Sequence, residues 1–194
     1  MNFIEEYFIE ESLCDDLLNY YDIDPNKHRG HMSVLNDNGR WEMSENPSIK
    51  SCTELLMYAQ NPVEPLENYL NALQKCVNEY IERYPWCNKG SPWGVLEPVN
   101  IQHYDPGEGY YKYHAERTNA RRPFGDRHLV FMTYLNTVTD DGGTEFLHQD
   151  LTVNAEVGKT LIWQADWTHT HRGIPSQTQE KTIITGWFSY FPDW

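Results

Sequence analysis

The spacing of apolar side chains divides the chain into a helical part and a strand-rich part. Near the N-terminus an apolar stripe recurs at helical spacing over residues 13–21. A longer stripe runs over residues 66–84, and Pro65 suits the first turn of a helix there. The polar stretch between them holds one short strand candidate, Met32–Leu35. The pattern predicts two N-terminal helices whose apolar faces pack on a core.

From about residue 95 the helical period disappears. Short runs rich in Val, Ile, Thr and aromatic residues alternate with turn signals such as Asp141-Gly142-Gly143. This texture predicts strands at residues 95–104, 110–116, 128–135, 144–147, 151–154, 160–164, 169–174 and 181–190. Many short strands at close spacing favour antiparallel sheets in a sandwich or barrel. We expect one domain over residues 1–194, with a helical support region (1–94) and a double-sheet β core (95–194).

Charge and composition exclude some functions. The formal net charge of −14 argues against a nucleic-acid partner, because phosphate binding needs a basic surface. Solubility explains that charge, and a cationic peptide substrate is the functional alternative. No apolar run is long enough to span a membrane, and no signal-peptide pattern opens the chain. The four scattered cysteines suit free thiols in a reducing compartment, so we expect a cytoplasmic protein.

Three His-x-acid triplets occur, beginning at His103, His114 and His148. With eight His and 29 acidic residues, chance alone produces about one such triplet, so each triplet by itself has little value. An iron ion that binds a keto acid and dioxygen needs two imidazoles and one carboxylate on one face. Residues i and i+2 of a strand project to the same side, so His114 and Glu116 can share one ion. The third ligand must then come from a distant strand of the other sheet.

His171 suits the third position, since it lies where a predicted strand enters a Pro-containing turn. Ten residues later Lys181 opens a strand, and Ile183, Thr185 and Trp187 share its face. A buried Lys needs an acidic partner, which the distal carboxylate of a dicarboxylic ligand would provide. A Lys at an exposed strand start is the plain alternative.

These residues occur in the order found in a known family. Over roughly 90 residues the chain resembles the prolyl 4-hydroxylase-like branch of the 2-oxoglutarate/Fe(II)-dependent dioxygenases. The matching segments are residues 101–110, 114–116, 127, 134–136, 142–146, 153–163 and 171–175, with Lys181 and Trp187. The resemblance implies a double-stranded β-helix, or jelly-roll, core. It also implies Fe(II) held by His114, Glu116 and His171.

The resemblance extends to the cosubstrate. It implies that Lys181 binds the 5-carboxylate of 2-oxoglutarate and acts with the metal ligands in catalysis. Tyr104, Thr185 and Trp187 are the further predicted residues of the cosubstrate site. Tyr110 and Tyr111 compete with Tyr104, because the segment from Tyr104 to His114 is one residue longer than is usual in the family. Glu116 replaces the usual Asp, and Val130 stands where Thr is frequent. Among rival histidines, His169 is expected to share the strand face of His171 and to line the pocket.

The implied reaction consumes O₂ and 2-oxoglutarate, with ascorbate as reductant, and hydroxylates an unactivated C–H bond. A prolyl residue in a peptide or protein is the first substrate hypothesis. A small metabolite or free amino acid is the second, and a non-catalytic jelly roll is the third. Six aromatic residues near the ligands suit a proline-rich chain: Tyr110, Tyr111, Tyr113, Trp163, Trp167 and Trp187. The basic segment 117–125 is predicted to lie at the pocket mouth, binding substrate or pairing with the protein's own carboxylates.

Overall fold

A computed structural model describes residues 1–35, 38, 39 and 41–192, and the side chains of residues 33–35 and 41 lie outside this description. It contains two long helices, α1 (Glu11–Ile23) and α2 (Glu64–Arg83). The strands are, in chain order, β1 (Glu5–Phe8), β2 (His28–Arg29), β3 (Met32–Leu35), β4 (Trp41–Ser44), β5 (Thr53–Met57), β6 (Trp93–Val95), β7 (Val99–Tyr104), β8 (Arg127–Tyr134), β9 (Thr144–Phe146), β10 (Leu151–Val153), β11 (Lys159–Gln164), β12 (His171–Gly173) and β13 (Lys181–Tyr190).

The strands form two facing sheets and one separate hairpin. The major sheet has eight strands in the order β1-β11-β8-β13-β7-β5-β2, with β6 paired to β13. The minor sheet has the order β10-β9-β12, and β3 pairs with β4. Every pairing between these strands is antiparallel. The predicted fold class, mostly β with N-terminal helices and a jelly-roll core, is confirmed.

The two faces of the major sheet carry different cores. In β8, Leu129 and Phe131 belong to the cluster that includes the buried faces of α1 and α2. Val130, Met132 and Tyr134 project to the opposite side and join a second cluster with minor-sheet residues such as Phe146. The helices therefore support one face of the sheet, while the other face is available to build a site.

The first 94 residues supply strands as well as helices. β1 pairs with β11 at one edge of the major sheet, and β5 pairs with β7 towards the other. Gly158 lies in the turn before β11 with a φ of 77°, where a Cβ would come within 2.5 Å of the Ile9 carbonyl oxygen. The N-terminal segment thus packs closely on the core. The division of the chain at residue 94 stays a prediction.

Two of the predicted strands differ from the structure. Residues 110–116 form no continuous strand, because their amides donate to three different neighbours: Tyr111 to Ile49, His114 to His171 and Glu116 to Ala165. The strand predicted at 169–174 begins only at His171, since the preceding residues form a 3₁₀ turn, Trp167–His169. The remaining predicted strands agree with the structure to within a few residues.

Candidate active site

A cavity of about 970 Å³ lies on the face of the major sheet opposite the helices. The three predicted metal ligands line this cavity. Along its wall run the side chains that share one face of β13, namely Lys181, Ile183, Thr185 and Trp187. The β3–β4 hairpin contributes Met32 and Met43, and the segment after Glu116 contributes further lining residues. The cavity therefore gathers every residue predicted for the metal and cosubstrate sites.

The two histidines of the site are direct backbone neighbours. His114 and His171 form an antiparallel bridge in which each amide donates to the other's carbonyl oxygen at 2.9 Å. The expectation that the third ligand comes from the opposite sheet is therefore wrong. His114 instead lies beside β12, at the edge of the minor sheet. This pairing brings the imidazole centroids to 4.4 Å of each other without a regular strand before them.

Three ligand atoms converge between these rings and Glu116. The Oε1 atom of Glu116 lies 3.6 Å from His114 Nε2 and 3.5 Å from His171 Nε2. The Nδ1 atom of His114 lies 3.0 Å from the Lys112 carbonyl oxygen, and that of His171 lies 2.9 Å from the His169 carbonyl oxygen. A ring nitrogen facing a carbonyl must donate its proton, so each Nε2 keeps its lone pair for the cavity.

The second oxygen of Glu116 is fixed from behind. The indole N–H of Trp187 donates to Oε2 at 2.9 Å, and Arg127 Nη1 donates to it at 3.2 Å. The Arg127 guanidinium lies 3.5 Å from the Trp187 ring centroid and pairs with Glu97 at 2.6 Å. Glu has a longer and more flexible arm than Asp. Here that arm is held at its tip, which leaves Oε1 directed towards the histidines.

The site's electrostatics suit a bound cation. Burial, with the neighbouring His171, lowers the pKa of His114. Burial alone would raise the pKa of Glu116, but the neighbouring His114 and His171 side chains and the charge of Arg127 hold it well below its ordinary value. At neutral pH the site thus presents a neutral imidazole and a carboxylate, the protonation states that bind metal ions. Two imidazoles and one carboxylate on one face fit non-haem Fe(II). The role of the three residues as metal ligands stays a prediction.

The end of the cavity at Lys181 presents a buried cation in place of acceptor atoms. Lys181 is 4% exposed, and its ammonium donates to the Ile174 carbonyl oxygen at 3.0 Å. Within the described part of the chain, no carboxylate lies within ion-pair distance of this ammonium. Burial lowers the pKa of Lys181 to about 8. A buried ammonium without a counter-ion fits the distal carboxylate of 2-oxoglutarate.

The rival histidines are directed away from the cavity. His169 was expected to line the cavity, and this expectation is wrong. The Nε2 atom of His169 lies 2.8 Å from the Asn2 carbonyl oxygen, and its Nδ1 atom lies 3.0 Å from Thr168 Oγ1. His148 is exposed after β9, and His103 Nδ1 lies 2.9 Å from Thr182 Oγ1. Of the three competing tyrosines, Tyr104 makes a cation–π contact with Lys181, with its ring centroid 4.9 Å from Lys181 Nζ.

The roles of several cavity residues were not predicted from the sequence. Arg127 was noted only as a marker of the central hairpin, although it fixes Glu116. Tyr110 stacks on His114 with centroids 3.6 Å apart and planes 10° apart. Lys50 and Glu54 form a buried ion pair in the cavity wall. The spacing of four between Lys50 and Glu54 was the available signal, but such pairs are common on exposed surfaces.

The basic segment at the mouth is mostly neutralised by the protein itself. Arg117 lies 3.4 Å from Asp166, and Arg122 lies 3.2 Å from Asp126. Arg121 lines the cavity and makes no ion pair with any described residue. Of the six aromatic residues predicted nearby, Tyr110, Trp163 and Trp187 line the cavity, whereas Tyr111, Tyr113 and Trp167 do not.

Comparison with known proteins agrees with this geometry. Residues 99–189 match the family described as the 2OG-Fe(II) oxygenase superfamily. A search of curated proteins finds no significant match. Among solved structures, the chain is similar to a viral collagen prolyl hydroxylase from Paramecium Bursaria Chlorella virus-1, solved with 2OG (TM-score 0.67, 18% identity, 97% of each chain covered).

Two further solved structures share the fold. One is a Pseudomonas putida prolyl-4-hydroxylase (TM-score 0.66, 17% identity, covering 99% of this chain and 95% of that one). The other is a Trichoplax adhaerens prolyl hydroxylase in complex with a hypoxia inducible factor peptide fragment (TM-score 0.69, 16% identity, 98% and 84% covered). At these identities the likeness establishes the fold. Among the described residues, no helix is long and apolar enough to cross a membrane.

Proposed function

Because the chain belongs to the 2OG-Fe(II) oxygenase superfamily, we propose that it is a dioxygenase that hydroxylates a prolyl residue in a peptide or protein. His114, Glu116 and His171 would hold Fe(II), and Lys181 would bind the distal carboxylate of 2-oxoglutarate. One observation carries the proposal: three acceptor atoms converge at one end of a cavity, and its wall also contains a buried ammonium with no carboxylate partner among the described residues. A site of this kind suits a cation and a dicarboxylate together.

When bound, Fe(II) and 2-oxoglutarate supply the oxidative decarboxylation that allows one oxygen atom of O₂ to enter a C–H bond. The protein's own contribution is positional. Trp187 and Arg127 keep the Glu116 carboxylate in place, and the two backbone carbonyls keep each Nε2 directed into the cavity. Lys181 would orient the cosubstrate from its distal end. Apolar side chains such as Met132 and Ile183 line the space between and exclude water.

A peptide substrate is supported by the neighbours that share this fold, one of which binds a peptide fragment. Arg121, which makes no ion pair with a described residue, offers its guanidinium at the cavity mouth to an acidic side chain or a backbone carbonyl of that peptide. We further propose a cytoplasmic enzyme that uses ascorbate as reductant. Four cysteines without disulfide partners support the reducing location.

The proposal is tested by mass spectrometry of peptides incubated with the enzyme, Fe(II), ascorbate and 2-oxoglutarate. Hydroxylation adds about 16 Da, one oxygen atom, and we expect this gain on proline in proline-rich peptides, with stoichiometric succinate. Matched peptides with alanine in place of proline are the control.

Free amino acids and small metabolites form a second panel in the same assay. Hydroxylation there and none on peptides would replace the prolyl substrate by a small molecule. Failure of the metal-loaded protein to convert 2-oxoglutarate with any member of either panel would contradict the enzymatic function.

A further inference from the structure

The hydroxyl group of Tyr104 is directed along β7 towards Gln102, which also lines the cavity. Its oxygen lies 2.6 Å from Gln102 Oε1, an atom that can only accept a hydrogen bond. Burial, with the neighbouring Cys52 and Glu54, raises the pKa of Tyr104 well above its ordinary value, so the hydroxyl keeps its single proton. That proton is therefore donated to Gln102, and the side facing Lys181 has none to offer.

Glu54 determines which way the Gln102 amide faces. Gln102 Nε2 donates to Glu54 Oε1 at 3.1 Å. A reversed amide would place its oxygen against the Glu54 carboxylate, where two acceptors repel each other, although the tyrosine oxygen could then accept from the NH₂ group. The orientation thus follows from the charge of Glu54.

Glu54 is itself firmly held. It is 3% exposed, pairs with the buried Lys50 and accepts the His31 amide at 3.3 Å. Sheet register aligns the row, because Glu54 stands opposite Gln102 and Tyr104 stands opposite Lys181. The four residues Lys50, Glu54, Gln102 and Tyr104 form one connected buried row that ends beneath the Lys181 ammonium.

The hydroxyl proton of Thr185, like that of Tyr104, is donated within the protein. Its hydroxyl donates to the Phe131 carbonyl oxygen at 3.0 Å, so its proton is also used within the protein. Lys181 has three protons, and one hydrogen bond, to Ile174, accounts for one of them. Among the residues predicted for the cosubstrate, Lys181 is the one with protons available.

We propose that Glu54 and Gln102 are positioning residues that withhold the Tyr104 proton, so that Lys181 is the hydrogen-bond donor to the distal carboxylate of 2-oxoglutarate and Tyr104 supplies only a packing surface. This inference rests on the proposed function. It predicts that Gln102 keeps the Tyr104 hydroxyl from donating a hydrogen bond to the cosubstrate. Replacing Gln102 by an apolar side chain of similar length releases the Tyr104 proton for the cosubstrate.

The test is a double-mutant cycle on 2-oxoglutarate affinity, measured by calorimetry with Fe(II) under argon so that no turnover occurs. The four proteins are wild type, Tyr104→Phe, Gln102→Met and the double variant. In the wild-type background Tyr104→Phe changes Kd by less than about threefold, since no hydrogen bond is lost. In the Gln102→Met background the same change weakens binding by about tenfold or more, the usual effect of losing a hydrogen bond to a charged group.

2-Oxopentanoate, which carries a methyl group in place of the distal carboxylate, is the control ligand. Its Kd is the same with Tyr and with Phe at position 104 in both backgrounds, which assigns any difference to the distal carboxylate. Circular dichroism confirms the fold of each variant, and Tyr104→Phe alone already decides the main point if Gln102→Met does not fold. A tenfold weakening by Tyr104→Phe in the wild-type background overturns this inference and leaves the proposed function intact. A wild type that binds no 2-oxoglutarate overturns both.

Discussion

The two ends of the cavity are built in opposite ways. At the metal end, protons are used up behind the site: each imidazole Nδ1 donates to a carbonyl, and Trp187 and Arg127 donate to the outer oxygen of Glu116. What faces the cavity is a set of lone pairs. At the Lys181 end, the Tyr104 hydroxyl donates to Gln102, and the group that faces the cavity is an ammonium. Further along the same strand face, the Thr185 hydroxyl also donates within the protein.

This difference shows how one cavity can bind a cation and an anion side by side. Without a ligand, the acceptors at one end and the ammonium at the other both destabilise the folded protein, because buried polar groups have lost their water and have no replacement partner. Each end is therefore stabilised by the ligand of opposite charge. The ligand-free protein bears a penalty at both ends, and substitutions should reveal the two penalties separately.

The largest effect is expected at the metal end. His171→Ala removes one of three converging acceptors, and we expect no detectable conversion of 2-oxoglutarate. The affinity for Fe(II) should fall by more than the 10- to 100-fold that is typical of losing an outer-shell partner. Metal titration followed by succinate assays measures both.

His148→Ala is the matched control, since this exposed side chain follows β9 outside the cavity. It should leave metal affinity and turnover at the wild-type level. Equal damage by both substitutions would mean that the ligand assignment is wrong.

At the opposite end, Lys181→Met removes the ammonium while keeping much of the side-chain volume. Breaking a buried charge pair costs about 3–5 kcal/mol, so the Kd for 2-oxoglutarate should rise by about 100-fold or more. The affinity for Fe(II) should stay within about threefold, because no contact links Lys181 to the metal ligands. Calorimetry with each ligand separates the two ends, and a parallel loss of both affinities would refute this separation.

The same substitution should stabilise the ligand-free protein. The pKa of Lys181 in the folded protein is about 8, against 10.5 ordinarily, so the unfolded chain binds more protons between these values. The destabilisation by Lys181 is complete below about pH 8, where it approaches about 3 kcal/mol, and it fades as pH rises towards 10.5. Lys181→Met should therefore raise the Tm at pH 7 and lose this advantage near pH 10. Thermal melts of both proteins between pH 7 and pH 10 measure this difference in Tm and its change with pH.

A smaller effect is expected behind the metal end. Trp187→Phe keeps the ring but deletes the N–H that holds Glu116 Oε2, while Arg127 remains. We expect metal affinity to fall by about tenfold, the lower range for an outer-shell partner. His148→Ala, at an exposed position outside the cavity, is again the control that leaves metal affinity unchanged. A wild-type metal affinity in Trp187→Phe would show that Arg127 alone fixes the carboxylate.

The features of this protein that could be predicted from its sequence are those with a local, periodic signal. The face shared by Lys181, Ile183, Thr185 and Trp187 follows from the period of a strand, and all four line one cavity. Both helices follow from their apolar stripes. The order of ligand motifs led to the same superfamily that the comparison finds.

Features that depend on which neighbour accepts a hydrogen bond could not be predicted from the sequence. The segment 110–116 alternates like a strand, but its amides are shared among three neighbours, which no local pattern indicates. Likewise, the side chain of Tyr104 could be placed in the cavity, but the direction of its proton depends on Gln102 and Glu54. The partners of Arg127 lie 11 and 30 residues away in the chain, which hides its function.

The smallest expected effect lies at the cavity mouth, outside both ends. Arg121 and Arg122 are adjacent, exposed and both line the cavity, but within the described part of the chain only Arg122 has a carboxylate partner, Asp126 at 3.2 Å. If the substrate is a peptide, Arg121→Ala should raise the KM for a proline-containing peptide with a nearby acidic residue by about two- to fivefold, the effect of one exposed ion pair. The kcat should not change, because the guanidinium acts before the chemical step. The loss should shrink in high salt and should be absent for a peptide in which glutamine replaces the acidic residue. Arg122→Ala provides the matched control and should alter KM less, since that charge is already neutralised. Equal effects of the two substitutions would mean that the mouth attracts substrate through its overall charge and that Arg121 has no specific partner.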